Sequence, residues 1–312
     1  MEIVFNIILP VFGTLGLGYC AARFGLFDES ANRGLSLFVF NIAIPLMLFR
    51  ALALTKLPDQ IPWGYVLSYY GGTFAAWGLG IFVGRHLFKR NLSELGIIAM
   101  GSSFSNTSML GIPLIITAFG QQAALPLFVI ISCHSLILLP PTTIIIEFGQ
   151  GRHDPVKTIL MRLMKNISTT PLFWGLAVGI LTSISGFGIP ESIDSVAKNI
   201  GTAAVPCALF SLGASLTCYR VSGNILESLA IVTIKNLIHP VFVWLLVTYL
   251  FEVPDFWAKV AVSIAALPAG VMTYIFAQRY QVCQATSATA VFISTTISVL
   301  TLSALFFLFS VK

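Results

Sequence analysis

The sequence predicts an all-α polytopic membrane protein of ten spanning helices, from three features. Charge is scarce, apolar runs are long, and two of those runs are interrupted at corresponding places. Of 312 residues, 57% are hydrophobic and 9% charged, and the mean hydropathy is +0.92. A water-soluble domain carries roughly 25% charged residues. This chain cannot cover a water-facing surface, so lipid must surround it.

Ten apolar runs lie near residues 3–22, 34–54, 63–84, 95–118, 123–146, 171–187, 199–217, 228–251, 257–277 and 286–310. A bilayer-spanning helix needs about 20 such residues. The first run begins almost at Met1 with no basic segment before it, so it reads as a retained span and not a cleaved leader. The sixth run is short and glycine-rich, and its limits are loose. Cys20, Cys133, Cys207, Cys218 and Cys283 match no metal-ligand spacing and sit in or beside apolar runs. They read as small buried or lipid-facing residues. No disulfide, metal or cofactor is expected.

Ten spans put both termini on one side. Loops on one side carry Arg23, Arg33, Arg85, Lys89, Arg90, Arg152, Lys157, Arg162, Lys165, Arg220 and Arg279. The other side carries only Arg50, Lys56, Lys198, Lys259 and Lys312, and Lys235 belongs to neither. Cytoplasmic loops hold the basic excess, so both termini are expected in the periplasm of a bacterial inner membrane. The net charge of +5 then calls for no nucleic-acid partner.

The two halves look related. Ala43-Ile44-Pro45-Leu46-Met47-Leu48-Phe49 resembles Ala204-Val205-Pro206-Cys207-Ala208-Leu209-Phe210, so Pro45 falls on Pro206 at an offset of 161 residues. A similar offset, 163, lays Ser105 of the fourth run on Pro268 of the ninth. Residues 1–150 then form a first five-helix repeat, 151–170 a cytoplasmic linker and 171–312 a second repeat. Five spans is an odd number, so the second copy enters the membrane from the opposite side. Inverted repeats of this kind build many secondary transporters.

The fourth run packs Ser102, Ser103, Ser105, Asn106, Thr107, Ser108 and Gly111 into mid-membrane, with Pro113 after them. The ninth holds Pro268, Ala269 and Gly270 at the matching depth. Proline removes a backbone donor and clashes with the preceding turn. Broken backbone survives at membrane depth only where protein buries it or it lines a wet cavity. Paired interruptions in two halves point to a transport site; ordinary proline kinks are the plainer alternative. A broken helix exposes a half-helix N-terminus with unpaired N–H groups and partial positive charge, which suits a carboxylate. Asn106 adds an amide donor.

Four stretches carry a family resemblance. Asn106-Thr107-Ser108-Met109-Leu110-Gly111-Ile112-Pro113 resembles the Asn-Thr-x-x-x-Gly-x-Pro stretch of the auxin efflux carriers, the group that holds the plant PIN transporters. Ala266-Leu267-Pro268-Ala269-Gly270 resembles their second crossover. Lys235-Asn236-Leu237-Ile238-His239-Pro240 resembles the eighth span of bacterial members, and His134-Ser135-Leu136 through Glu147 the fifth, where plant members carry Gln in place of His134. The resemblance covers essentially the whole chain. It implies helices crossing at broken fourth and ninth spans, as in sodium/proton antiporters and bile-acid transporters. It also implies a scaffold of spans 1, 2, 6 and 7, a transport domain of spans 3–5 and 8–10, and carboxylate cargo of auxin, malonate or malate type. Ser105 stands where plant members have Pro, and the third span offers Tyr65, Tyr69 and Tyr70 in place of their acid and Lys.

Lys235 lies deep in the eighth run, where a charged side chain costs about 2.5–3.5 kcal/mol. It is expected to face protein or a wet cavity, countering carbonyl ends of the broken helices or attracting an anion. No Asp or Glu lies mid-span, which argues against a cation site, since that would want carboxylates or many oxygens. His134 can titrate near neutral pH, or be a satisfied core histidine. Asn41, four residues before Pro45, and Arg50 at the outer end of the second run are weaker candidates. The expected substrate is a small organic anion. The lipid bilayer is the other partner, and there is room for a homodimer. A membrane enzyme or an anion channel are the competing readings, but four scattered histidines and no mid-membrane acid assemble no catalytic set.

Overall fold

A computed structural model describes residues 7–55, 62–151, 169–219 and 221–309, together with Met161 and Lys165. Most of the expected linker at 151–170, and Lys56, Arg152, Lys157, Arg162, Arg220 and Lys312 of the charge count, lie outside the described residues. The described residues form twelve helices and no strand. They are α1 (Leu9–Arg23), α2 (Glu29–Ala53), α3 (Trp63–His86), α4 (Leu92–Ser103), α5 (Thr107–Phe119), α6 (Gln121–Gly149), α7 (Pro171–Ser185), α8 (Glu191–Cys218), α9 (Ile225–Leu250), α10 (Asp255–Ala265), α11 (Val271–Tyr280) and α12 (Gln284–Leu308).

Among the described residues, each of the ten apolar runs falls mostly on helix, and the fourth and ninth are each split in two. Six helices, α2, α3, α6, α8, α9 and α12, are long and apolar enough to cross a membrane by length and composition. Polar caps carry several helices past the apolar runs. Asn91 accepts from the N–H of Glu94 while Glu94 reaches back to the N–H of Asn91, and Asn224 accepts from Glu227 in the same way. Leu17, Trp174, Leu181, Tyr249 and Leu300 all stand more than 60% exposed on helix surfaces, as a lipid-facing surface requires.

In lipid, apolar side chains gain little by leaving the solvent, so helices associate where small residues allow close packing. Here α1 meets α8 backbone to backbone. A methyl group on Gly213 would lie 1.8 Å from the carbonyl of Leu15, and one on Gly18 would lie 2.0 Å from that of Phe210. Likewise α7 lies on α2 through Gly175, against the carbonyl of Pro45, and Gly179, against that of Phe49. Pro45 is buried in that contact, whereas Pro206 faces outward on α8. These four helices make one packed group. The second group holds α3, α4, α6 and α9–α12: Gly72 of α3 sits on Val243 of α9, Gly80 of α3 on Ser102 of α4, and Gly96 of α4 on Ile146 of α6. Helix α5 packs against both α6 and α8.

Candidate functional site

The two breaks meet. Phe104 leaves α4 in an extended conformation (φ −76°, ψ 109°), and Gly270 enters α11 extended (φ −69°, ψ 141°). Ser105 and Ala269 pair as an isolated antiparallel bridge. Its two hydrogen bonds run from the N–H of Asn106 to the carbonyl of Pro268 (2.9 Å) and from the N–H of Gly270 to that of Phe104 (2.8 Å). Pro268 has no N–H to satisfy, so it fits a non-helical crossing. On the other strand a π turn at Thr107–Gly111 restarts the helix, closed by Gly111 N–H on the Asn106 carbonyl at 2.9 Å. Pro113 follows inside α5, where it has no N–H to return to the carbonyls of the π turn before it. Gly111 lets the crossing close, because a methyl group there would lie 2.7 Å from Leu267 Cδ1.

Beside the crossing is a cavity of about 490 Å³. Its walls come from both helix groups: Phe40 of α2 and Leu172 and Phe173 of α7 face Ile131, His134, Ser135 and Leu139 of α6. The first turns of α5 (Thr107 to Met109) and α11 (Val271, Met272) both open onto it. A helix leaves its first-turn N–H groups without helical acceptors, so two partial positive charges converge here. Asn106 is 5% exposed and its Nδ2 has no partner, and the hydroxyl of Ser105 and both ring nitrogens of His134 are buried and unpartnered too. No carboxylate lies on the described walls.

Of the residues singled out in the sequence, the structure brings Ser105, Asn106, Thr107, His134 and Gly270 together on this cavity. Pro268 and Ala269 complete the crossing from behind it. Lys235 is elsewhere: it is fully buried, and its Nζ donates to the carbonyls of Ala265 and Leu267, both at 2.6 Å. The first is the last carbonyl of α10 and the second lies two residues beyond it, where the helix dipole presents partial negative charge. Lys235 therefore occupies the place of a helix C-cap and does not line the cavity. Asn41 is likewise not brought to the site. It lies on a π turn of α2 and faces an open groove with Pro45, Pro171 and Trp174. Arg50 pairs with Asp194 of α8 at 2.7 Å.

Sequence reasoning missed Ser294 of α12. Its hydroxyl accepts from the N–H of Ala269 (2.8 Å) and donates to Asn236 Oδ1 (2.6 Å), and the Asn236 amide donates to the carbonyl of Ser294 (2.9 Å). Two of the tyrosines of α3 act as braces, Tyr65 donating to the carbonyl of Pro126 and Tyr70 to that of Ile130, each at 2.7 Å. His239 pairs with Thr73 through Nε2 at 3.0 Å.

Two interrupted helices crossed in an apolar bundle, with a cavity at their joint, define a membrane transporter as the class. The family model described as membrane transport protein matches residues 3–306. The chain belongs to that family, which includes the auxin efflux carriers. It is 24% identical over 308 residues to a Rhizobium meliloti protein named "Putative malonate transporter", covering 99% of this chain and 96% of the relative. It is 25% identical over 312 residues to an uncharacterized transporter of Methanocaldococcus jannaschii, covering 96% of each. Auxin efflux carrier component 8 of Arabidopsis thaliana is 24% identical over 355 residues, covering 96% of this chain and 95% of that one.

Proposed function

We propose that the chain is a secondary transporter carrying a small organic anion, a mono- or dicarboxylate, by alternating access at the crossover. The observation that carries this reading is the cavity between the two helix groups. Two half-helix N-termini and an unspent Asn106 amide face it, and no acid offsets them on its described walls. The names of the relatives, a malonate transporter and an auxin carrier, point to carboxylates as well.

On this reading the twelve helices make ten spans in two inverted five-helix repeats. The group α1, α2, α7 and α8 is the scaffold, and the other group moves against it. The cavity reaches Thr170, at the start of α7. The basic excess assigns that end to the cytoplasm, so this conformation opens inward and the termini lie outside.

Uptake of labelled malonate, succinate and indole acetate into proteoliposomes, each against counterflow with the same unlabelled acid, tests the assignment. Saturable counterflow of at least one carboxylate is expected. Uncoupled ohmic current without counterflow would make it a channel, and preference for organic cations would end the anion reading. A reporter active only in the cytoplasm, fused after Lys312, is expected to be silent; strong signal overturns the orientation.

A further inference from the structure

We infer that His134 carries a proton together with the anion, making the protein a proton–anion symporter; this rests on the anion reading above. The argument starts from unsatisfied chemistry. His134 is 1% exposed on the cavity wall, and neither ring nitrogen has a hydrogen-bond partner. A neutral imidazole has one N–H to donate and one lone pair to fill. A buried polar atom left unpaired costs about 1–3 kcal/mol, and such atoms in native proteins call for an explanation such as a bound water or ligand. The neighbouring orphans are the Ser105 hydroxyl, the Asn106 Nδ2 and, behind them, the Tyr69 hydroxyl. Ser105 and Asn106 line the same cavity as His134, and the Tyr69 ring lies against that of His134.

What surrounds the ring decides which guest. Its centroid lies 4.4 Å from that of Phe104, 5.9 Å from Tyr69 and 6.5 Å from Tyr70. The hydroxyl of Tyr70 is committed to Ile130, and Tyr69 also touches His239, 6.1 Å away between centroids. The titratable and charged groups around it are thus Tyr69 and Tyr70 from α3, Lys235 and His239 from α9, and Cys133 beside it on α6. The crossing loops, α2, α7 and α11 face the cavity with Phe40, Phe104, Thr170, Leu172, Phe173 and Met272 among others, none of them acidic. Without an anion beside it, a cationic imidazole would feel the Lys235 ammonium behind the crossing with no counter-charge. A carboxylate seated at Asn106 supplies that counter-charge.

Anion and proton therefore bind with positive coupling, and each strengthens the other by the same factor. The proton comes from water on the side to which the cavity is open and sits on the His134 nitrogen that faces the anion. It returns to water on the other side once the anion has left. No further reactant is needed. A His134 that merely donates its N–H to the anion would contact cargo without moving a proton, and the two roles can be told apart.

Titration calorimetry of the whole protein with malonate, at a pH where free malonate is fully ionised and in buffers of different ionisation heat, counts protons taken up on binding. About one proton per malonate is expected for the wild type and close to none for His134→Gln. In proteoliposomes, proton entry per labelled malonate is expected to fall by one in His134→Gln, whatever its absolute rate. Should that variant not fold, imidazole ¹⁵N shifts of a His86→Gln, His153→Gln background, with His239 assigned by its loss in a further His239→Gln variant, must show His134 becoming cationic when malonate is added. Malonate binding without proton uptake, or a wild-type proton count in His134→Gln, overturns the inference and leaves the anion reading in place. No binding of malonate or any other carboxylate by the wild type overturns the anion reading, and this inference with it.

Discussion

The backbone N–H of Asn106 donates to the carbonyl of Pro268 at 2.9 Å, so the two interrupted helices are bonded to each other at the point where each lacks its own helical bonds. With the return bond from Gly270 to Phe104, this settles the backbone at a depth where water cannot. The side chains are not used evenly. Lys235 and Ser294 hold the second loop from behind, through Ala265, Leu267 and Ala269. The first loop keeps the Ser105 hydroxyl and the Asn106 amide unspent. One crossing strand is thus anchored and the other presents free donors to the cavity.

Asn106→Ala is expected to weaken apparent carboxylate affinity by about tenfold or more, since a hydrogen bond to a charged group contributes roughly 1.5–3 kcal/mol. Expression should hold, because Nδ2 bonds nothing in the protein. Half-saturation in counterflow measures it, and an unchanged value moves the site elsewhere.

Ser294→Ala and Ser105→Ala form a matched pair. The first removes the acceptor of the Ala269 N–H and leaves a buried donor unpaired, a loss of about 1–3 kcal/mol. The second removes a hydroxyl without a protein partner, and its effect on stability should stay within about 0.5 kcal/mol. Thermal unfolding in detergent is expected to fall for Ser294→Ala only. Equal losses would mean that the two loops are anchored alike.

Much of this was legible from residue types along the chain. The breaks announce themselves through Pro268, Gly270 and the polar run around Asn106, because lipid tolerates such residues only for a reason. The helix limits were less so: α4 and α9 start at Asn91 and Asn224, polar caps that hydropathy does not register. Partners that depend on how loops return were legible only in kind. The sequence offers Lys235 as a counter to carbonyl ends of the broken helices or as an attractor of the anion; the structure shows the first, on Ala265 and Leu267, which the spacing does not single out. Ser294 is hidden among the other serines and threonines of α12. Asn41, a weaker candidate from its place before Pro45, lies on a π turn and faces the open groove.

Lys235→Gln should act through stability first. The amide can donate, but it cannot span two carbonyls with a charge, so the end of α10 loses charge-assisted bonds of roughly 1.5–3 kcal/mol each. Lower thermal stability is expected, with affinities for mono- and dicarboxylates falling alike. A selective loss for the dicarboxylate would show instead that the solute feels the Lys235 charge directly.

The last prediction concerns the far end of the same group, where Arg90 bridges the halves. Its Nε and Nη2 donate to the two oxygens of Glu227 at 2.8 and 2.7 Å, and its Nη1 to Glu94 at 2.9 Å. Glu227 is fully buried at the first turn of α9, while the Arg90 side chain is 29% exposed. The hydrogen bonds to Glu227 hold the guanidinium above the ordinary arginine range, so the pair stays ionised on the arginine side at any working pH. Losing one partner strands the other charge. Arg90→Met should lower stability by about 3–5 kcal/mol, because a carboxylate is left buried without its cation. Glu227→Gln leaves the freed cation access to water and to Glu94, so it should cost less. The double variant Arg90→Met, Glu227→Gln should recover part of the loss, because no fully buried bare charge remains; Glu94 also loses its cation but keeps access to water. Thermal unfolding of the four proteins gives the coupling energy directly. Strict additivity would show that Arg90 contributes nothing specific through Glu227, and the tie between α4 and α9 would then rest on Ile98 and Ile231 in their apolar contact.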